Sequence, residues 1–335
     1  MNFSPLKNIL KEKKKILLTS HTNPDGDAVG SLLGMSLFLT RQGHEVEMLL
    51  PDRFPEYLSW LPGASGIRIY GEGNAFADEL FGASEVLIAL DYNDTGRLDA
   101  ASEAMKSSQA VKVLIDHHAD PDRSQYDQIY STIHTSSTAE IVFEIISFLD
   151  KRLIDKDIAT CLFTGILTDT GSFTYGCDSP GTFNVVAELV GTGISPSNIS
   201  RLVYGNFSES RMRLLGYSIS EKLKVLPEFC TAYISLTNDE LKRFKYSKGD
   251  TEGVVNYALS LKGVRFAALF LQRKDRIRIS FRSKGDFPVN EFARKHYQGG
   301  GHKNAAGGDS FESMDDTILQ FEKRLSEYTD QLCSN

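Results

Sequence analysis

The chain has 335 residues, enough for about two domains. With 41% hydrophobic and 24% charged residues, it is not a disordered chain, a collagen-like chain or a minimal disulfide scaffold. The formal net charge of −7 argues against a protein coated along its surface with nucleic acid.

The first twenty residues are basic, but only Ile16 to Leu18 follow as an apolar block, which is too short for a signal peptide. Nowhere do about 18 apolar residues run together, so no transmembrane helix and a cytoplasmic location are expected. Residues 15–20 read as a buried strand, followed by the turn-rich loop from His21 to Asp27 and a helix from Ala28 to Gln42. Glu45 to Leu50, Ser84 to Leu90 and Val111 to Ile115 read as further strands; Thr138 to Leu149 and Asp155 to Leu167 read as helices. Short apolar strands separated by helical stretches predict βαβ units and a parallel sheet over residues 1–190. The Gly- and Pro-bearing span 191–225, with a helical stretch from Glu209 to Leu223, reads as a helical linker. Cys230 to Leu236, Phe266 to Gln272 and Arg276 to Phe281 read as strands, and Asp315 to Asp330 as a closing helix. The expected fold is therefore α/β: an N-terminal parallel-sheet domain, a smaller α+β domain over 226–335, and a cleft between them.

Cys161, Cys177, Cys230 and Cys333 form no Cys-x-x-Cys pair, so a thiolate zinc site is not expected and reduced thiols are. No Walker A pattern and no complete Gly-x-Gly-x-x-Gly is present, so nothing points to a nucleotide triphosphatase or a dinucleotide fold.

Histidine and aspartate collect where the strands are predicted to end. His21, Asp25 and Asp27 follow the first strand, Asp91 ends the third, and Asp116, His117 and His118 end the fourth. Asp169 ends a helix in a Gly- and Thr-rich turn. Parallel α/β sheets bind ligands at the carboxyl ends of their strands. Each piece alone is an ordinary polar turn or helix cap; their joint placement at strand ends is what points to a site. Asp25, Asp27, Asp91 and Asp169 would repel one another in a cleft, and two divalent cations would cancel their charge. Carboxylates with a few imidazoles and no thiolate favour Mn²⁺, with Mg²⁺ as the second choice.

Read in order, His21-Thr-Asn-Pro-Asp-Gly-Asp-Ala28, Asp91 with Arg97, Asp116-His-His118 and Thr168-Asp-Thr-Gly-Ser-Phe173 resemble the DHH phosphoesterase superfamily. Gly299-Gly-Gly-His302 and the preceding Ser280-Phe-Arg-Ser-Lys-Gly285 resemble its DHHA1-type substrate domain. The resemblance spans nearly the whole chain and is nearest the two-domain, NrnA-like oligoribonuclease (nanoRNase) and 3′-phosphoadenosine 5′-phosphate (pAp) phosphatase group. It implies that His21 and Asp25 bind one Mn²⁺, that Asp27, His117 and Asp169 bind a second, and that Asp91 bridges them. His118 would face the reacting phosphate, with Asp116 orienting the histidines. Arg282, Ser283, Gly299, Gly300, Gly301 and His302 would bind substrate. One departure is visible: Gln298 stands where the family has the first of four glycines.

The implied reaction is hydrolysis by a hydroxide shared between two metals. The implied substrates are short single-stranded oligonucleotides (nanoRNA) or pAp, with no long duplex and no membrane partner; a homodimer is compatible with the sequence. The alternatives are linear dinucleotides such as pApA, polyphosphate, or a nucleotide-binding sensor that does no chemistry. Residues 262–303 carry net +8, which leaves −15 for the rest, so a basic segment accompanies an acidic metal-binding one. The glycines at 299–301 serve either a sharp turn or close approach of backbone N–H groups to phosphate. Lys303 to Gly308 reads as the start of a helix. Arg97 either ties down a loop by a salt bridge or touches phosphate.

Overall fold

The computed structural model describes residues 1–72 and 74–333. They form two compact units, residues 1–206 and the chain from Phe207 onward. Within the span 191–225, helix Pro196–Tyr204 packs in the first unit against helix Lys156–Asp169, and helix Glu209–Ser220 packs in the second.

The first unit is built on six parallel strands: β1 (Lys15–Thr19), β2 (Glu45–Leu50), β3 (Ile67–Ile69), β4 (Val86–Leu90), β5 (Val111–Asp116) and β6 (Gln128–Ser131). Their order across the sheet is β3-β2-β1-β4-β5-β6, that of doubly wound dinucleotide-binding sheets, although no glycine fingerprint announces it. β4 is buried at every residue because both sheet faces are covered. On one face Ile16, Leu18, Ile88, Leu90, Val113 and Ile115 pack with helices Gly26–Arg41, Thr138–Asp150 and Lys156–Asp169. On the other, Leu17, Leu87, Ala89 and Leu114 pack with Tyr92, Leu98 and Met105. Each Val, Leu, Ile or Met side chain among them contributes roughly 1.5–3 kcal/mol on burial.

The three helices start where a side chain caps them. Asp25 accepts from the Asp27 and Ala28 N–H groups, Ser137 from Glu140, and Asp155 from Asp157 and Ile158. The Asp25 cap starts its helix at Gly26, two residues before the Ala28 expected from the apolar pattern, and so places Asp27 in the first turn. Helices Gly26–Arg41 and Lys156–Asp169 meet backbone to backbone at Gly30: a Cβ there would come within 2.5 Å of the Cys161 carbonyl oxygen and 2.9 Å of the Gly165 nitrogen. Among the described residues, no helix is long and apolar enough to cross a membrane.

The second unit has a mixed sheet: β7 (Leu223–Leu226), β8 (Thr231–Leu236), β9 (Phe266–Gln272), β10 (Ile277–Ser283), β11 (Gly300–His302) and β12 (Ala305–Ser310). The order is β11-β12-β10-β9-β8-β7, antiparallel except for β8 with β9. One face is aromatic, with Tyr233, Phe266, Phe270, Phe281, Phe292 and Phe321 in a single cluster. The other is aliphatic, with Ile234, Leu236, Val255 and Leu269.

Two expectations are corrected here. Residues from Ala305 to Ser310 form strand β12 instead of a helix, because β10 offers an open edge that they pair along from Ile277↔Ser310 to Arg282↔Ala305. The thiols are not all reduced: Cys230 and Cys333 are disulfide-bonded with Cα atoms 5.7 Å apart, while Cys161 and Cys177 are free and buried. The bonded pair is 103 residues apart in sequence, and helix Thr329–Cys333 brings the chain back to the start of β8.

Helix Asn238–Arg243 is fastened by Glu240. Its carboxylate accepts from Lys222 Nζ at 2.8 Å, Tyr217 Oη at 2.6 Å, the Thr237 N–H at 2.8 Å and Thr237 Oγ1 at 3.1 Å. Burial opposes its charge, but Lys222 and the other donors outweigh it and hold the group down to about 2 against the ordinary 4.5. A lowered carboxylate pKa contributes stability above the unfolded value and loses it as pH falls. Urea unfolding of the wild type should therefore show stability falling between about pH 4.5 and 2. Glu240→Gln should flatten that fall and cost about 1–3 kcal/mol at pH 7. In the first unit, Gly30→Ala should cost about 1–3 kcal/mol in the same measurement, because the added methyl meets backbone on a facing helix.

Candidate active site

β1 and β4 are neighbours in the sheet, and the chain leaves them in opposite directions, to β2 and to β5. Such a point leaves a crevice beyond the strand ends. The predicted residues from three adjacent strands arrive there. Ser20, just beyond β1, is buried and donates to the Leu90 carbonyl at 2.7 Å, which ties the end of β1 to that of β4. His21 follows at once. Asp91 follows β4 with φ of +66°, a left-handed conformation that costs a non-glycine residue roughly 1–2 kcal/mol. Its N–H donates to the Ile115 carbonyl at 3.0 Å. β5 ends in Asp116, and His117 and His118 follow. Asp169 is the last residue of its helix, and Gly171, Ser172 and Phe173 just beyond it all have φ near +60°.

Two of the donor-atom sets that form hold the predicted ligands. His21, Asp25 and Asp91 make one, and Asp27, His117 and Asp169 the other, each with its atoms within 4.8 Å of one another. Asp91 faces both: its Oδ2 lies 3.3 Å from His21 Nε2 and its Oδ1 lies 3.5 Å from His117 Nε2. His117 Nε2 is also 3.6 Å from Asp169 Oδ2 and 3.8 Å from Asp27 Oδ2. Most of these separations are longer than ordinary hydrogen bonds. They match the spacing of atoms that share one cation: ligands each about 2.1 Å from a metal stand about 3.0–3.6 Å apart.

The His21 tautomer tests the fit. Its Nδ1 lies 2.8 Å from the Thr22 carbonyl oxygen, which can only accept, so the proton is on Nδ1. Burial, reinforced by the Arg97 charge, lowers the ring pKa to about 4, so the ring is neutral. The Nε2 lone pair then faces the Asp91 carboxylate, acceptor against acceptor. Burial and the neighbouring carboxylates push Asp27 and Asp91 well above the usual carboxylate range. Both features are relieved by a cation between the groups. Oxygen and imidazole donors without thiolate suit a hard or borderline divalent ion, so the residues present fit a divalent metal.

Sequence reasoning missed the segment from Ser136 to Glu140. The Thr138 and Ala139 N–H groups, in the first turn of their helix, donate to Asp27 Oδ2 at 2.7 Å and Oδ1 at 2.9 Å. Thr138 Oγ1 donates to Asp91 Oδ1 at 2.9 Å. A helix N-terminus is thus aimed at one carboxylate and a hydroxyl at the other. Glu140 is buried and accepts from the Ser136 N–H and hydroxyl and from Thr182 Oγ1, which holds this turn in place. The only sequence signal was a run of hydroxyl residues before a helix, and that also describes a plain cap.

Asp116 is fully buried and its Oδ1 lies 2.7 Å from His118 Nδ1. Arg97 Nη1 lies 3.2 Å from His118 Nε2. Burial, then the His117 and Arg97 charges, hold His118 well below the usual histidine range.

The remaining predicted residues lie in the second unit. Arg282, Ala305 and His302 form one row across β10, β12 and β11. Arg282 is half-buried and donates to the Phe281 carbonyl. Ser283 is buried, donating to the Phe287 carbonyl at 2.7 Å and accepting from Asn304 Nδ2 at 2.8 Å. Gly299 and Gly301 pass so close to β12 that a Cβ on either would strike the Gly307 or Ala305 carbonyl oxygen, whereas a Cβ on Gly300 would meet open space.

Comparison with known proteins places the chain among relatives. Residues 15–166 match the N-terminal domain of the DHH family and residues 227–328 match the DHHA1 domain. The chain superposes with a TM-score of 0.93 and 38% identity on the crystal structure of an exopolyphosphatase-related protein from Bacteroides fragilis, covering 99% of this chain and 97% of that one. It is 27% identical over 319 residues to the probable bifunctional oligoribonuclease and PAP phosphatase NrnA of Streptococcus mutans, covering 94% of this chain and 96% of the relative. It is 26% identical over 320 residues to the bifunctional oligoribonuclease and PAP phosphatase NrnA of Bacillus subtilis, covering 93% and 95%. With both domains matched in order and a relative of 38% identity along its whole length, the chain belongs to the DHH family of phosphoesterases, carrying a DHH domain followed by a DHHA1 domain.

Proposed function

We propose that this chain is a Mn²⁺-dependent phosphoesterase that hydrolyses short oligoribonucleotides to mononucleotides and pAp to AMP. One observation carries the reading: Asp91 faces two separate His/Asp sets with spacings suited to shared cations. Full-length likeness to two relatives named for both activities supports the choice of substrates.

In this reading His21 and Asp25 hold one cation, Asp27, His117 and Asp169 hold the other, and Asp91 serves both. A bound pair of divalent ions would supply acidified water and offset charge on phosphoryl oxygens. The protein's own part is to keep the carboxylates aimed. The Thr138 and Ala139 N–H groups hold Asp27, the Thr138 hydroxyl holds Asp91, and Asp116 orients His118. Arg282, Ser283, Gly299, Gly300, Gly301 and His302 of the second unit are assigned to the rest of the substrate. Polyphosphate is the second reading, because the protein of 38% identity is described as exopolyphosphatase-related.

Product release from pAp, pApA, 2–5-residue oligoribonucleotides, polyphosphate and pyrophosphate should separate these readings. With Mn²⁺, pAp and the short oligomers are cut and pyrophosphate is not; EDTA abolishes the activity and added Mn²⁺ restores it. Turnover of pyrophosphate alone would overturn the proposal. Asp91→Asn should reduce hydrolysis to background. The melting temperature of the metal-free protein should not fall, because the substitution removes a charge that burial disfavours. Wild-type activity in that variant would remove Asp91 from its shared position.

A further inference from the structure

The structure separates the two roles open to Arg97. The salt-bridge role fails, because Arg97 makes no ion pair among the described residues. Its turn is held without the guanidinium. Asp94 Oδ1 accepts from the Gly96 N–H at 2.6 Å, the Arg97 N–H donates to the Asp94 carbonyl at 3.0 Å, and the Arg97 carbonyl accepts from the Thr22 N–H at 2.8 Å. That last bond ties the turn to the loop carrying His21 and Asp25.

The half-buried guanidinium instead lies with Nη1 3.2 Å from His118 Nε2 and 3.5 Å from the Asp91 carbonyl oxygen. A guanidinium can only donate, so His118 Nε2 must accept. The imidazole proton then lies on Nδ1 and is donated to Asp116 Oδ1 at 2.7 Å. A proton on Nε2 would point at another donor. Asp116, His118 and Arg97 therefore form one directed chain, and His118 has no Nε2–H to offer a substrate.

Arg97 is thus a permanent cation beside the candidate metal ligands, with no carboxylate partner and most of its five N–H groups unused by the bonds described above. Its charge acts on His21, Asp25, Asp91 and His118. Planar guanidinium donors match the oxygens of a phosphoryl group. We propose that Arg97 donates hydrogen bonds to the non-bridging oxygens of the scissile phosphoryl group, and that His118, fixed by Asp116, is a positioning residue for Arg97 and not a proton donor. This rests on the phosphoesterase reading above.

The test is kcat and KM on pAp for the Mn²⁺-loaded full chain and for Arg97→Ala, His118→Ala and the double variant, with Mn²⁺ affinity measured by calorimetry. Arg97→Ala should lower kcat by about 10²-fold, the loss typical of one transition-state donor, and leave Mn²⁺ affinity within about twofold. The double variant should be little worse than the poorer single variant, since groups acting as one unit are not additive. An Arg97→Ala kcat within about threefold of wild type, or Mn²⁺ affinity falling in step with kcat, would overturn the role of Arg97. Losses that multiply in the double variant would make His118 an independent group and overturn its positioning role. A wild type that cuts no phosphoester would instead bring down the functional reading itself.

Discussion

The electrostatic conflict around Asp91 organises the first unit. A carboxylate left 2% exposed among other carboxylates is unfavourable as a charge. The fold tolerates it by surrounding it with groups that keep it aimed. The Thr138 hydroxyl holds one oxygen, and the Asp91 N–H is secured to the end of β5. Its left-handed backbone follows from the need to turn the side chain across the crevice toward both His21 and His117. Such a site gives up stability for a preorganised donor set, which a divalent cation would stabilise.

The same constraint accounts for the helix packing behind the site. Asp27 reaches the crevice from the first turn of helix Gly26–Arg41, and its oxygens meet the start of helix Thr138–Asp150. Three helices must converge closely for this, and Gly30 and Gly165 are where two of them touch backbone to backbone. A Cβ on Gly165 would come within 2.8 Å of Asp27 Oδ1, so the small residue that lets the helices meet also leaves room for the carboxylate. The second unit uses glycine in a related way. Gly299 and Gly301 admit β12 at a distance no side chain would permit, which brings His302 into one row with Arg282.

Strands β1, β2, β4 and β5 were legible because each is a short apolar run bounded by turn residues. The aspartates and histidines were legible because they sit at the ends of those runs. The edge strands β3 and β6 were not, since Ile67–Ile69 and Gln128–Ser131 are short and carry little apolar pattern. Lys303 to Gly308 carries no β-branched or aromatic residue to mark a strand, and only pairing with β10 makes Ala305–Ser310 one. The Cys230–Cys333 pair was invisible because 103 residues separate partners that the final helix brings together.

The order of residues along the chain was enough to single out the candidate groups, since metal-ligating types at strand ends leave a local trace. It also pointed to the parallel sheet and to an α+β second part, through hydrophobic periodicity. Tertiary structure alone decided the partners: Thr138 for Asp91, the Thr138 and Ala139 amides for Asp27, and His118 for Arg97. It alone selected the His21 and His118 tautomers, because a ring proton goes where the nearest acceptor lies in space. Those contacts join residues up to 112 positions apart, and hydrogen bonds of about 3 Å leave no periodic signature in a sequence.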